Sequence, residues 1–158
     1  MSRITPFLWF ATEAEQAAEF YVSIFPNSSI TSVVRYREGE PGPAGSAMTV
    51  AFSLDGEPFV ALNGQKAIPH SGAVSFVINC ATQDEVDHFW TKLGEDGGKP
   101  QQCGWLADRF GIPWQVVPTA LPELLQHSDP ATAGRVMQAM MGMKKVDIAG
   151  LRAAAAAG

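Results

Sequence analysis

Gln101–Pro118 reads QQCGWLADRFGIPWQVVP, and the reading of this stretch decides the fold. The composition of Gln102–Leu106 predicts a strand. Asp108-Arg109-Phe110-Gly111 follows as a turn, with Gly111 free to take positive φ. Pro113 fixes φ and cannot donate to a ladder, so it belongs at the beginning or edge of a strand. Trp114–Val117 is then a short strand, with Gln115 and Val117 on one face and Trp114 and Val116 on the other. A Gln inside an apolar strand needs partners for both ends of its amide. It either orients a molecule in a pocket or bonds a neighbouring strand or water.

Upstream of this stretch, Ala73–Cys80 is an apolar strand. Thr82-Gln-Asp-Glu85 is a capping box that opens a helix whose apolar face is Val86, Phe89, Trp90 and Leu93. Glu95-Asp-Gly-Gly98 ends that helix. The same order occurs earlier in the chain. Ile4–Phe10 reads as a strand. Thr12-Glu-Ala-Glu15 is a second capping-box pattern, followed by Ala14, Ala17, Ala18, Tyr21 and Phe25 at helical spacing. Ser29–Tyr36 is β-branched and reads as a strand, and EGEPGPAG (Glu38–Gly45) is a loop. Ser46–Leu54 and Pro58–Leu62 are strands joined by Asp55-Gly56, a hairpin signal.

The two halves superpose. LWFATEAEQAAEFY (Leu8–Tyr21) matches INCATQDEVDHFW (Ile78–Trp90) with one residue of slack, and GEPFVAL (Gly56–Leu62) matches GIPWQVV (Gly111–Val117). Two matches in one order at similar separation indicate a duplicated βαβββ module. Module 1 covers about 1–64, module 2 about 73–118, and Gly64–Gly72 links them. Arg135–Gly158 reads as helix, with Val136, Met137, Met140, Met141 and Met143 on one face, within a C-terminal helical tail of about 119–158. Residues 1–158 are expected to form a single domain.

Bulk properties narrow the function classes. The 158 residues carry a net charge of −5, which argues against a broad nucleic-acid footprint. No apolar run approaches the roughly 20 residues that span a bilayer, and the N-terminus MSRITPFLWF lacks the pattern of a signal peptide. Two cysteines, Cys80 and Cys103, make no disulfide framework and have no metal spacing. A cytoplasmic protein with free thiols is the expectation.

Two tandem βαβββ modules resemble the vicinal oxygen chelate superfamily, which includes glyoxalase I, extradiol dioxygenases and antibiotic-resistance proteins. ITPFLWF, AEQAAEFYVSIFPNSSI, SAMTVAFSLDG, CGWLADRFGIPWQVVP and VMQAMMGMKKVDIAGL resemble its PhnB-like family more closely. Members of that family are often named 3-demethylubiquinone-9 3-methyltransferase. The resemblance implies an α+β fold: a cupped, mostly antiparallel eight-stranded sheet with helices outside, plus C-terminal helices. It also implies modules that pair within a chain or across a homodimer, with a cleft inside each pair.

In metal-dependent members each module's first strand supplies a His or Gln ligand. Each last strand supplies a Glu, four residues after the turn Gly. Here those last-strand positions hold Val60 and Gln115, and the first-strand positions fall near Thr5 or Pro6 and at Ser75. Val and Pro cannot ligate through a side chain, and Ser or Thr suits a divalent ion poorly. His70, His88 and His127 fall elsewhere. No metal site and no cofactor are therefore expected. The methyltransferase name implies S-adenosylmethionine, yet no Gly-rich strand-to-helix loop with a following acidic residue is present.

The first functional expectation is a protein that binds a small organic molecule in a metal-free cleft lined by Gln115, Ser75, Val60, Trp9 and Trp105. The second is an enzyme of the superfamily, with Cys103 as nucleophile or Asp108 as acid or base. The third is a structural dimer with the Met-rich tail at its seam. No nucleic-acid or membrane partner is expected.

Overall fold

The computed structural model describes residues 2–158, which contain eight strands and five helices. The chain divides into two compact units, Met1–Pro69 and His70–Gly158, with the boundary inside the linker segment.

The first unit comprises β1 (Phe7–Phe10), α1 (Ala14–Ile24), β2 (Ser29–Arg35), β3 (Ala47–Leu54) and β4 (Glu57–Asn63). Its sheet has the order β1-β4-β3-β2. β1 runs parallel to β4, and the other pairs are antiparallel. The β3–β4 hairpin closes through Asp55 (φ 48°) and Gly56 (φ 86°), the doubly left-handed turn that Asp-Gly favours. Alternation along β3 buries Ala47, Val50, Phe52 and Leu54 against α1. Four small or flat residues of α1 (Ala14, Ala17, Ala18 and Tyr21) are fully buried there, so the helix approaches the sheet closely. Tyr21, Phe52 and Phe59 form a stacked column with centroids 6.2 and 5.5 Å apart.

The second unit repeats the plan with β5 (Phe76–Cys80), α2 (Gln83–Leu93), β6 (Lys99–Pro100), β7 (Trp105–Ala107) and β8 (Pro113–Pro118). Its order is β5-β8-β7-β6, with β5 parallel to β8. The eight strands are thus two mixed sheets of four, each with one parallel pair. Trp114 stands where the first unit has Phe59 and packs on Phe76, centroids 5.5 Å apart. After β8 come α3 (Ala120–Leu125), α4 (Pro130–Met141) and α5 (Ile148–Ala156).

Four local expectations are corrected. The Gln102–Leu106 run is not one strand. Cys103 (φ 60°) and Gly104 (φ 83°) form the turn of a hairpin, closed by Trp105 N–H donating to the Gln102 carbonyl at 3.1 Å. β7 starts only at Trp105. The first strand starts at Phe7 and not Ile4, because Pro6 has no N–H to give the ladder.

The Thr12–Glu15 box does not form. α1 is instead capped from the sheet by buried Asn63, whose Oδ1 accepts from Ala14 N–H at 2.8 Å while its Nδ2 donates to the Ala47 carbonyl at 3.0 Å. The second box does form. Thr82 Oγ1 accepts from Glu85 N–H at 3.2 Å, and Glu85 reaches back to Ala81 N–H at 2.8 Å.

The tail is three helices, broken between Gly142 and Asp147. Its Met residues do not share one buried face: Val136 is buried, whereas Met137 and Met141 are exposed. The tail has its own core of Leu121, Val136, Val146 and Leu151.

Candidate functional site

Strand registers place the expected site residues. Val60 lies opposite Phe7 on β1 and Ala51 on β3. Gln115 lies opposite Val77 on β5 and Trp105 on β7. Side chains in register share a face, so each row stands on the side of its sheet away from the packed helix. The first unit's row, Phe7–Val60–Ala51, contains no polar side-chain atom. The second unit's row, Val77–Gln115–Trp105, has a carboxamide at its centre. Val77 is 49% exposed, while Gln115 and Trp105 are half-buried.

Ser75 stands two residues before Val77, on the same face and just ahead of β5. Gln115 Nε2 donates to Ser75 Oγ at 2.9 Å. The two positions of the second module that the superfamily resemblance associates with ligands are therefore joined to each other. Asn79 and Val117 continue this face along β5 and β8. Val77 and Asn79 were not among the sequence-derived candidates. The period-two alternation of β5 with Ser75 was the signal that identifies them.

Trp9 is held by its own unit. Its Nε1 donates to the Lys66 carbonyl at 2.6 Å, and a Cβ on Gly64 would fall 2.0 Å from its ring. The indole thus lies over a bare glycine backbone as a clasp between β1 and the segment after β4.

Asp108 is 2% exposed, and both its carboxylate oxygens are engaged. Oδ1 accepts from Phe110 N–H at 2.8 Å and Ile112 N–H at 3.1 Å, and Oδ2 accepts from Trp114 Nε1 at 2.9 Å. The Asp108–Ile112 loop closes on itself as well, through Asp108 N–H to the Ile112 carbonyl at 2.9 Å. Geometry makes this carboxylate the hub of the β7–β8 loop.

Cys103 occupies the hairpin turn. Its N–H donates to the Met143 carbonyl, and Gly104 N–H donates to the Lys144 carbonyl, both at 2.8 Å. The CGW motif and the MKKVDI segment of the tail, distant in sequence, meet through these bonds. Gln83 on α2 completes the junction. Its Nε2 donates to the Val146 carbonyl at 3.1 Å and to Asp87 Oδ1 at 3.0 Å, and its Oε1 accepts from Ile148 N–H at 2.9 Å. Lys145 pairs with Asp87 at 2.9 Å. The Gln83 hydrogen bond, then Lys145, hold the Asp87 carboxyl below its ordinary pKa.

Burial, with Glu85 nearby, pushes the Cys80 thiol up to about 11. Both cysteines are free thiols.

A divalent metal of the glyoxalase type does not fit this donor set. Val60 offers no ligand atom, Gln115 and Ser75 are neutral and bonded together, and Thr5 supplies only a hydroxyl. Among the described residues no group of three or more His, Cys, Asp or Glu is arranged to hold an ion. His88 lies exposed on α2, and exposed His127 accepts from Asp129 N–H at 3.0 Å; His70 precedes β5. The β1–α1 and β5–α2 connections, Ala11–Glu13 and Ala81-Thr82, contain no glycine. No described helix is long and apolar enough to cross a membrane.

Comparison with known proteins agrees with this architecture. The sequence profile of the family described as 3-demethylubiquinone-9 3-methyltransferase matches residues 2–117. The profile stops before α3, so the three tail helices lie beyond it. No curated protein sequence matches the chain.

A solved Bacillus cereus structure, provisionally described as a 3-demethylubiquinone-9 3-methyltransferase, PhnB protein, is 32% identical with a TM-score of 0.68. The match covers 75% of this chain and 100% of that one. A Pseudomonas aeruginosa protein is 21% identical, with a TM-score of 0.61 over 75% of this chain and 98% of its own. A fosfomycin resistance protein, FosX, from Listeria monocytogenes shares the fold at 12% identity and a TM-score of 0.50, over 78% of this chain and 97% of its own. The chain therefore belongs to the PhnB-like family described as 3-demethylubiquinone-9 3-methyltransferase.

Proposed function

We propose that the chain binds a small organic molecule on the open face of the second sheet, at Gln115, without a divalent metal. The observation that carries this reading is the Gln115–Ser75 hydrogen bond. It leaves a pre-oriented pair of polar groups among Val77, Val117 and Trp105, and a few fixed polar atoms in apolar surroundings suit an organic ligand. Methyl transfer from S-adenosylmethionine is not part of the reading. Both helix N-termini that follow a first strand are already capped by protein side chains, Asn63 and Thr82, and offer no free phosphate-type cradle. Cys103 and Asp108 serve the β6–β7 turn and the β7–β8 loop in this account.

The reading takes residues 1–158 as one functional domain and the protein as a cytoplasmic homodimer. The superfamily resemblance and the free thiols support this, and sedimentation velocity checks the dimer.

The test is a thermal-shift screen of metabolites on the wild-type protein and on Gln115→Ala, with elemental analysis of protein purified without chelator. Ligands that stabilise the wild type and lose their effect in the variant support the reading. A stoichiometric divalent ion, or a variant that keeps every response, refutes it.

A further inference from the structure

We propose that Met143 is an oxidation site whose sulfoxide undocks α5 from α2 and from the β6–β7 turn. The proposal is independent of the ligand-binding reading. The tail holds four methionines, Met137, Met140, Met141 and Met143. Met137 and Met141 are exposed, at 41% and 63%. Met140 and Met143 are half-buried and pack against the core of Leu121, Val136, Val146 and Leu151.

Met143 also holds the start of α5. Asp147, the residue that precedes this helix, makes no side-chain cap hydrogen bond. The N–H groups here are met by other elements instead. Asp147 N–H donates to Met143 Sδ at 3.5 Å, and Ile148 N–H donates to Gln83 Oε1 at 2.9 Å. A thioether is a weak acceptor, so close packing has to supplement it. A Cβ on Gly150 would fall 2.9 Å from Met143 Cε, so the methyl fills the space over the bare glycine. The Met143 carbonyl in turn accepts Cys103 N–H at 2.8 Å. One residue thus joins α5 to the β6–β7 turn, through its side chain on one side and its backbone on the other.

The oxidant is a peroxide. A sulfur lone pair attacks one oxygen of hydrogen peroxide, and an S–O bond forms as the O–O bond breaks. The departing oxygen takes the proton of the transferred one and leaves as water. Sulfur is oxidised by two electrons and the peroxide is reduced by the same two. An oxygen on the lone pair that accepts Asp147 N–H needs about 2.9 Å to the nitrogen in addition to the S–O bond, more than the 3.5 Å present. The methyl already fills the Gly150 side, so the chain has no room to retreat there. Either epimer also turns an apolar group packed on the tail core into a polar one, which favours water over that contact. Met137 and Met141 are exposed, and their oxidation leaves the junction intact.

The test treats full-length protein with hydrogen peroxide, locates sulfoxides by peptide mass mapping and follows amide exchange by mass spectrometry. With Met143 oxidised, the α5 amides should exchange about tenfold faster, the ratio expected from a polar group that the core does not satisfy, while α1 keeps its rate. Met137→Leu/Met140→Leu/Met141→Leu, which leaves Met143 as the oxidisable methionine of the tail, should respond as the wild type does. Met143→Leu, close in volume, should exchange equally with and without peroxide. That variant retains Cys80 and Cys103, so a peroxide response that persists in it overturns the proposal. Methionine sulfoxide reductases for both epimers should restore slow exchange in the oxidised wild type, and exchange that stays fast counts against the proposal. It is also overturned if Met143 of the wild type oxidises with α5 exchange unchanged, or stays unmodified once Met137 and Met141 are fully oxidised.

Discussion

Replacing Asp108 gives the sharpest test of how the second unit is held together. Its carboxylate accepts three N–H groups within the stretch Asp108–Trp114: Phe110, Ile112 and the Trp114 indole. The side chain is 2% exposed, so water does not replace it easily. A hydrogen bond to a charged acceptor contributes about 1.5–3 kcal/mol. Three at the low end sum to about 4.5 kcal/mol, and loop relaxation returns about 1 kcal/mol of that by releasing backbone entropy. Asp108→Ala should therefore destabilise the protein by about 3–4 kcal/mol. At roughly 2–4 °C per kcal/mol for a domain of this size, the melting temperature falls by about 10 °C.

Asp108→Asn is more discriminating. It keeps one oxygen for the two backbone donors but turns an NH₂ toward the Trp114 N–H, and should cost about 2 kcal/mol. In a Trp114→Phe background, where the opposing donor is gone, the same change should cost about 1 kcal/mol less. Urea unfolding followed by circular dichroism measures the wild type, Asp108→Ala, Asp108→Asn, Trp114→Phe and the double variant. An Asp108→Ala variant within 1 kcal/mol of wild type would refute the reasoning, and would reopen the carboxylate as an acid or base.

Gln83→Ala removes the side chain that bonds both Val146 and Ile148. It should cost about 1–3 kcal/mol and raise amide exchange in α5 ahead of α2; uniform exchange across both would disprove the junction. Gly104→Ala combines a positive φ of 83° with a Cβ 2.8 Å from the Val116 carbonyl, and should cost at least about 1–3 kcal/mol in urea unfolding. Gly111→Ala has the φ penalty but open space around it, and should cost less. Cys80 has its folded pKa raised to about 11 from 9.0, so the fold favours the neutral thiol. That stability is fully present below about pH 9 and is lost as pH rises through about 11; denaturation curves between pH 8 and 11 should flatten in Cys80→Ala, and an unchanged slope counts against the burial argument.

Much of this molecule was legible in the order of its residues. The duplicated pattern, the Asp55-Gly56 hairpin and the Thr82 capping box are local signals. Each depends on neighbours a few positions apart, and so does the alternation that puts Gln115 and Val117 on one face of β8. Distance along the chain was the barrier elsewhere. Asn63 caps α1 across 49 positions and displaces a sequence-perfect capping box, because the buried amide also satisfies the Ala47 carbonyl. Gln83 reaches the tail across 65 positions. The tail's helical composition was readable, but its break was not, because the Met143 and Lys144 carbonyls are drawn out to the Cys103-Gly104 turn.

For the site, the sequence by itself pointed, through its family resemblance, to Gln115, Ser75 and Val60, whose side chains are poor metal donors. Only the tertiary structure decided that Ser75 and Gln115 bond each other, that Trp105 and Val77 flank them, and that the Asp108 carboxylate is consumed by its own loop. The physical reason is that side-chain polarity is a property of one residue. Which polar atom is left over for a ligand depends on partners that only strand pairing brings together.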